Sequence, residues 1–146
     1  WMDMARDKYT NKVPLKPGAR EFLVWLRQQG IRTGIASSNG IELVETVLKA
    51  QGIQEYLESV HTCCEVPKGK PAPDIYLLVA KTLGVKPEEC LVFEDVPMGI
   101  LAGKNAGMRV CAVEDTFSAS QREEKKELAD YYIESYDEIP RERMQP

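Results

Sequence analysis

Two kinds of hydrophobic pattern alternate along the chain. Over residues 19–29, Phe22, Leu23, Trp25 and Leu26 share one helical face, with Pro17-Gly18 marking the start and Gly30 the close. Residues 31–37 (Ile-Arg-Thr-Gly-Ile-Ala-Ser) instead form a short apolar run of strand type. Ser37-Ser38-Asn39-Gly40 opens a second helix, with Ile41, Val44, Val47 and Leu48 at helical spacing and Gln51-Gly52 as its stop. A strand over 59–64 follows, then the loop Lys68-Gly-Lys-Pro-Ala-Pro73 and a helix over 74–83 ended by Gly84. Next come a strand at 90–93, a polar turn at Glu94-Asp95 and a helix over 97–105. After Gly107, a strand at 109–113, a polar helix at 119–128 and a last strand at 131–134 complete the series.

Strands alternating with helices predict a parallel sheet covered on both faces, a three-layer α/β/α arrangement. The strands are nearly continuous apolar runs, as burial on both faces requires. Residues 14–139 read as this core and 140–146 as a frayed tail. Residues 1–13 look helical until Pro14 and Pro17 break the pattern, and a start on Trp rather than Met is expected of a longer chain's interior.

The 146 residues suit about one domain. With 43% hydrophobic and 29% charged residues the composition is that of a folded globular protein. No apolar run approaches the roughly 20 residues of a membrane helix, and no secretory signal precedes the core. Nineteen Lys plus Arg against 23 Asp plus Glu give a net charge of −4, which argues against nucleic acid as a partner. The run Arg122-Glu-Glu-Lys-Lys-Glu127 alternates in sign and reads as a solvated helix face. Cys63, Cys64, Cys90 and Cys111 contain no Cys-x-x-Cys pair, which favours a reduced, cytoplasmic chain over a disulfide scaffold. Adjacent Cys63 and Cys64 are expected on opposite faces of their strand. A lone His61 excludes a His-rich metal site and weighs against a Ser-His-Asp triad.

Ligands of open α/β sheets bind beyond the carboxyl ends of the strands, and three polar loops fall there. Ala36-Ser37-Ser38-Asn39-Gly40 offers hydroxyls and backbone N–H groups at a helix start, a natural anion site. Ser38 or Asn39 serving as a helix cap is the plainer reading, and both can hold. In Gly69-Lys70-Pro71-Ala72-Pro73-Asp74, two prolines stiffen the backbone so that Lys70 is held in one direction, as an ammonium aimed at phosphate needs; otherwise it is a surface lysine, as Lys68 is expected to be. Glu94-Asp95 directly follows a buried strand, where paired carboxylates are costly without cations. Oxygen ligands without His or Cys suit Mg²⁺, whereas the alternative is a pair of helix-start acids favoured by the dipole. Gly99 and Gly103 allow the following helix to pack closely. An anion loop, a fixed Lys and an acid pair together point to phosphoryl transfer, yet no residue stands as the nucleophile.

The succession Ala-Ser37-Ser38-Asn, Gly-Lys70-Pro-Ala-Pro-Asp-Ile-Tyr and Leu-Val-Phe-Glu94-Asp95-x-x-x-Gly-Ile resembles the haloacid dehalogenase superfamily, in the branch of β-phosphoglucomutase and small sugar-phosphate phosphatases. The resemblance implies a Rossmann-like core, Mg²⁺ as cofactor and a small phosphorylated metabolite as substrate, with no membrane or nucleic-acid partner. It makes Ser37, Lys70 and Asp95 catalytic, and Ser37, Ser38, Asn39 and Lys70 the phosphate or substrate ligands. Glu94 and Asp95 become the metal ligands, Asp95 the more direct of the two. The family's opening Asp-x-Asp-Gly-Thr strand, which forms the aspartyl-phosphate, is not in this sequence.

On this resemblance residues 1–13 are the end of a helical cap. The sheet lacks its first central strand, leaving a slot between the strands at 31–37 and 90–93. The chain then needs an N-terminal segment to complete sheet and site, and is inert alone. A rival is a non-catalytic scaffold binding phosphate or a partner through the same loops. A receiver-like signalling domain would need a phospho-accepting Asp closing a central strand, and a dinucleotide binder a Gly-x-Gly-x-x-Gly that follows no strand here.

Overall fold

Phe22 and Leu26, one helical turn apart, are the buried pair of the first helix, α1 (Ala19–Gln28). They belong to a computed structural model that describes residues 18–139; the expectations for residues 1–13, 14–17 and 140–146 lie outside the described residues. The order continues β1 (Gly34–Ser37), α2 (Ile41–Gln51), β2 (Ser59–Thr62), α3 (Asp74–Leu83), β3 (Leu91–Glu94), α4 (Pro97–Asn105), β4 (Arg109–Val113), α5 (Arg122–Leu128) and β5 (Tyr131–Ile133). Helices α2 and α3 each stop at a left-handed glycine, Gly52 at φ 66° and Gly84 at φ 71°, a conformation that glycine adopts without a side-chain clash.

All strand pairs are parallel, as the alternating pattern predicts, but they form two ladders. β1 lies against β2, with Gly34 opposite Ser59 and Ser37 opposite Thr62. β4 lies between β3 and β5, with Leu91 opposite Arg109 and Cys111 opposite Tyr131. Among the described residues no pairing joins β1 to β3. The split falls where the family resemblance leaves out a central strand.

The halves are held together by helices rather than by backbone pairing. On one face α3 packs on β1 and β2, α4 packs on β3 and β4, and the two helices touch. Ile75 and Tyr76 of α3 join Ile100 and Ala102 of α4 with Val92, Val110 and Ala112 in one apolar cluster. Ile75, Ile100 and Val110 are 0% exposed, and fully burying such a side chain contributes about 1.5–3 kcal/mol. On the opposite face Val44 and Leu48 of α2 cover Ile35 and Val60. There Phe22 of α1 meets Phe93 of β3 edge-on, with ring centroids 5.4 Å apart. Both faces therefore bridge the split.

Four local expectations are corrected. β2 ends at Thr62, and Cys63–Glu65 form a 3₁₀ turn instead of extending the strand. The Glu65 carboxylate accepts the Thr62 N–H at 2.6 Å, a local bond that replaces further ladder pairing. Cys63 and Cys64 are thus not on opposite strand faces, although all four cysteines are free thiols. The polar helix begins at Arg122, after a 3₁₀ segment at Thr116–Gln121. Its charge run is not wholly solvated, because Lys125 is 0% exposed. Among the described residues no helix is long and apolar enough to cross a membrane.

Candidate active site

Ser37 is the last residue of β1 and Glu94 the last of β3, and the two strand ends meet at one rim through Lys70. Lys70 reaches that rim from the loop between β2 and α3. Its Nζ donates to the Ala36 carbonyl at 3.2 Å and to Glu94 Oε2 at 2.8 Å, linking both sides of the split sheet. The Lys70 and Glu94 side chains are only 10% and 11% exposed. Desolvating such a pair is costly unless other partners complete it. Tyr76 supplies one, with Lys70 Nζ 5.1 Å from its ring centroid, within cation–π range.

Tyr76, three positions into α3, also presents its hydroxyl to the Glu94 carboxylate. Burial first, then the nearby Glu94 and Asp95 charges, push its phenol well above the usual tyrosine range. The phenol therefore keeps its proton and donates a hydrogen bond to that carboxylate. In the sequence this tyrosine closes the motif Gly-Lys70-Pro-Ala-Pro-Asp-Ile-Tyr, with no role expected for it. Its helix register, which turns it toward the core, was the only signal available.

The supporting loops are tied from several sides. Asn105, at the end of α4, donates to the Pro71 carbonyl at 3.0 Å and holds the Lys70 loop. Gly99 leaves room for the Glu94 carboxylate, since a Cβ at that position would collide with it. Gly103 lies against Val92 and Val110, and these two glycines give α4 the close approach expected of them. Lys68 is exposed, as expected.

The Ser37 hydroxyl accepts the Asn39 N–H at 3.0 Å and orders the loop into α2. Gly40, not Ser38 or Asn39, is the N-cap of α2, and no side chain caps this helix. The capping alternative for Ser38 and Asn39 is therefore not realised. Ser38 is exposed and meets the Cys63 thiol at 3.8 Å. Asp95 is partly buried, and its carbonyl accepts the Ser118 hydroxyl at 2.7 Å. Lys70 thus brings together two segments distant in sequence, the end of β1, where Ser37 follows Ala36, and Glu94, which Asp95 follows.

Among the described residues no group of three or more His, Cys, Asp or Glu side chains converges on a metal position. Glu94 and Asp95 provide an oxygen-only pair, with one Glu94 oxygen engaged by Lys70. That set fits Mg²⁺, which takes one or two carboxylates and fills its other positions with phosphate and water. A cavity of about 490 Å³ lies beside β2, lined by residues such as Gly40, Ile41, Val60 and Thr62. Its lining includes none of Ser37, Lys70, Glu94 and Asp95.

A family model for haloacid dehalogenase-like hydrolases matches residues 5–107. The chain belongs to this family. It is 32% identical over 126 residues to hexitol phosphatase B of Escherichia coli, covering 86% of the chain and 56% of the phosphatase. Among solved structures it is similar to CbbY of Rhodobacter sphaeroides in complex with phosphate, with a TM-score of 0.84 and 26% identity over 94% of the chain and 61% of CbbY. A haloacid dehalogenase family hydrolase of Deinococcus radiodurans with bound phosphate and sodium has a TM-score of 0.77 and 30% identity, covering 83% of this chain and 55% of that one. The chain thus spans little more than half of each of these family members.

Proposed function

We propose that this chain is the phosphate-binding core of a Mg²⁺-dependent phosphatase or phosphomutase acting on a small phosphorylated metabolite such as a sugar phosphate. The observation that carries the proposal is Lys70, whose ammonium joins the ends of β1 and β3 where a phosphoryl group would lie. In this reading the Ser37 hydroxyl, the Ser38 backbone N–H and the Asn39 side-chain amide orient the phosphoryl oxygens, while the Asn39 N–H holds the Ser37 hydroxyl in place. Lys70 offsets their charge, and its bond to Glu94 keeps the ammonium aimed at the rim. Asp95, assisted by Glu94, would hold Mg²⁺, which when bound neutralises charge spreading over the phosphoryl group.

The attacking carboxylate is an aspartate upstream of this chain, carried by a strand that fills the split between β1 and β3. Its oxygen bonds to phosphorus as the substrate's bridging oxygen departs, protonated by the second aspartate of the same upstream Asp-x-Asp, giving an aspartyl-phosphate; that second aspartate then takes the proton of the incoming hydroxyl. Water or a second sugar hydroxyl then accepts the phosphoryl group and regenerates the carboxylate. Without that strand the 146 residues are inert. The rival reading is a non-catalytic scaffold that binds phosphate or a partner through the same loops; an Asp-x-Asp upstream in the full reading frame favours the enzyme, and its lack there favours the scaffold.

The test is phosphate release or transfer from a panel of sugar and sugar-alcohol phosphates by the full-length protein, with Mg²⁺ or with EDTA. Mg²⁺-dependent turnover that vanishes in Lys70→Ala supports the enzyme. Phosphate binding without turnover on any member of the panel supports the scaffold instead.

A further inference from the structure

Lys125 is the largest of the fully buried side chains among the described residues, and it is a lysine. Its neighbours along α5, Arg122, Glu123, Glu124, Lys126 and Glu127, are all exposed. An ammonium in the interior costs several kcal/mol unless its bonds compensate, and an apolar side chain of similar volume would fill the space without that cost. The informative question is what the ammonium does there that a methylene chain cannot.

Its Nζ donates to the Val113 carbonyl at 2.7 Å, at the end of β4, and to Ser118 Oγ at 3.0 Å. A lysine ammonium can only donate, so Ser118 Oγ is the acceptor in that bond. The single Ser118 proton is then directed to a carbonyl. The Asp95 carbonyl stands 2.7 Å away and the Asp115 carbonyl 3.5 Å away, so Asp95 receives it. The result is a one-way, charge-assisted series from Lys125 through Ser118 to the backbone of Asp95, strengthened by low local dielectric.

We infer that Lys125, acting through Ser118, is a positioning residue for the Asp95 loop. It ties the carbonyl of Asp95 to the end of β4 and so sets where the Asp95 carboxylate leaves the backbone. The inference rests on the reading of Asp95 as a Mg²⁺ ligand. It adds two residues, neither within a recognised motif, to the machinery of that site. Groups that orient a metal ligand typically change affinity by about 10–100-fold when removed.

The experiment is isothermal titration of Mg²⁺ alone into full-length wild type, Ser118→Ala, Lys125→Met and the double variant, with a thermal melt of each. The expected result is Mg²⁺ binding weakened about tenfold in each single variant. The double variant should bind no more weakly than the weaker single one, because the two groups act in series. Ser118→Ala should melt within a few degrees of wild type, which separates positioning from loss of fold. If Lys125→Met does not fold, Ser118→Ala still decides the matter. Wild-type Mg²⁺ affinity in Ser118→Ala, beside a wild type that binds, overturns this inference alone. A wild type that binds no Mg²⁺ overturns the metal reading and this inference with it.

Discussion

Lys70 Nζ and Glu94 Oε2 lie 2.8 Å apart across a sheet whose two halves share no backbone pairing among the described residues. This pair is a polar clamp over the split, beneath the rim where the candidate phosphate ligands lie. Because both side chains are about nine-tenths buried, removing one partner strands the other in a poorly solvated place.

Lys70→Ala is therefore expected to lower kcat by about 100-fold or more, as loss of a charge stabiliser does. It should also destabilise the fold by about 3–5 kcal/mol, the usual penalty for breaking a buried pair from one side. In a double-mutant cycle, adding Glu94→Gln to Lys70→Ala should restore part of the stability but none of the activity. Denaturant melts and steady-state kinetics on the four proteins check both halves of this expectation.

Asp95→Asn keeps the shape of the loop, and its backbone carbonyl still accepts the Ser118 hydroxyl. The variant should melt like wild type while Mg²⁺-dependent turnover is abolished. Wild-type turnover in Asp95→Asn would remove this residue from the metal site.

Gly99→Ala inserts a methyl group into the space taken by the Glu94 carboxylate. Overpacking of this kind costs about 1–3 kcal/mol, and here the strain falls on a residue bonded to Lys70. A lower melting temperature together with lower kcat is expected, whereas alanine at a solvent-exposed helical glycine would raise stability. Circular-dichroism melts beside kinetics distinguish the two outcomes.

Tyr76 makes a prediction about pH. Burial and the neighbouring carboxylates raise its phenol above the ordinary value of 10.0, so the folded protein holds this proton more tightly than the unfolded chain. The corresponding stability is fully present below pH 10 and declines as pH rises toward the folded-state value. Tyr136, raised mainly by burial, acts in the same direction. Tyr76→Phe should therefore flatten the alkaline fall of the melting temperature measured between about pH 8 and 11.5. An unchanged slope would show that the phenol does not titrate on unfolding.

Much of the fold was legible along the chain because the signals are local. The helix at 97–105 agrees at both ends with α4, and that at 74–83 with α3. Proline at a helix start and glycine after a helix act through their own backbone geometry, whatever surrounds them. The strand at 59–64 was read too long because Glu65 reaches back to the Thr62 N–H, a bond that hydrophobic pattern does not encode. The capping alternative for Ser38 and Asn39 failed because Gly40 took the N-cap position.

What the sequence determined by itself was the set of chemical groups and the secondary elements that carry them: an anion loop after one strand, a stiffened Lys70, and two acids after another. Those follow from residue type and short-range periodicity. Only the tertiary structure decided that Tyr76 stands against Glu94, that helices rather than backbone pairing hold the split sheet, and that Lys125 is buried. Each of these depends on groups brought together from distant parts of the chain. Lys125 and its neighbours are all charged or polar, so their pattern carries no periodicity to say which one turns inward. The Val113 carbonyl and the Ser118 hydroxyl are acceptors that fix the Lys125 ammonium there, and neither contact is encoded in the local pattern.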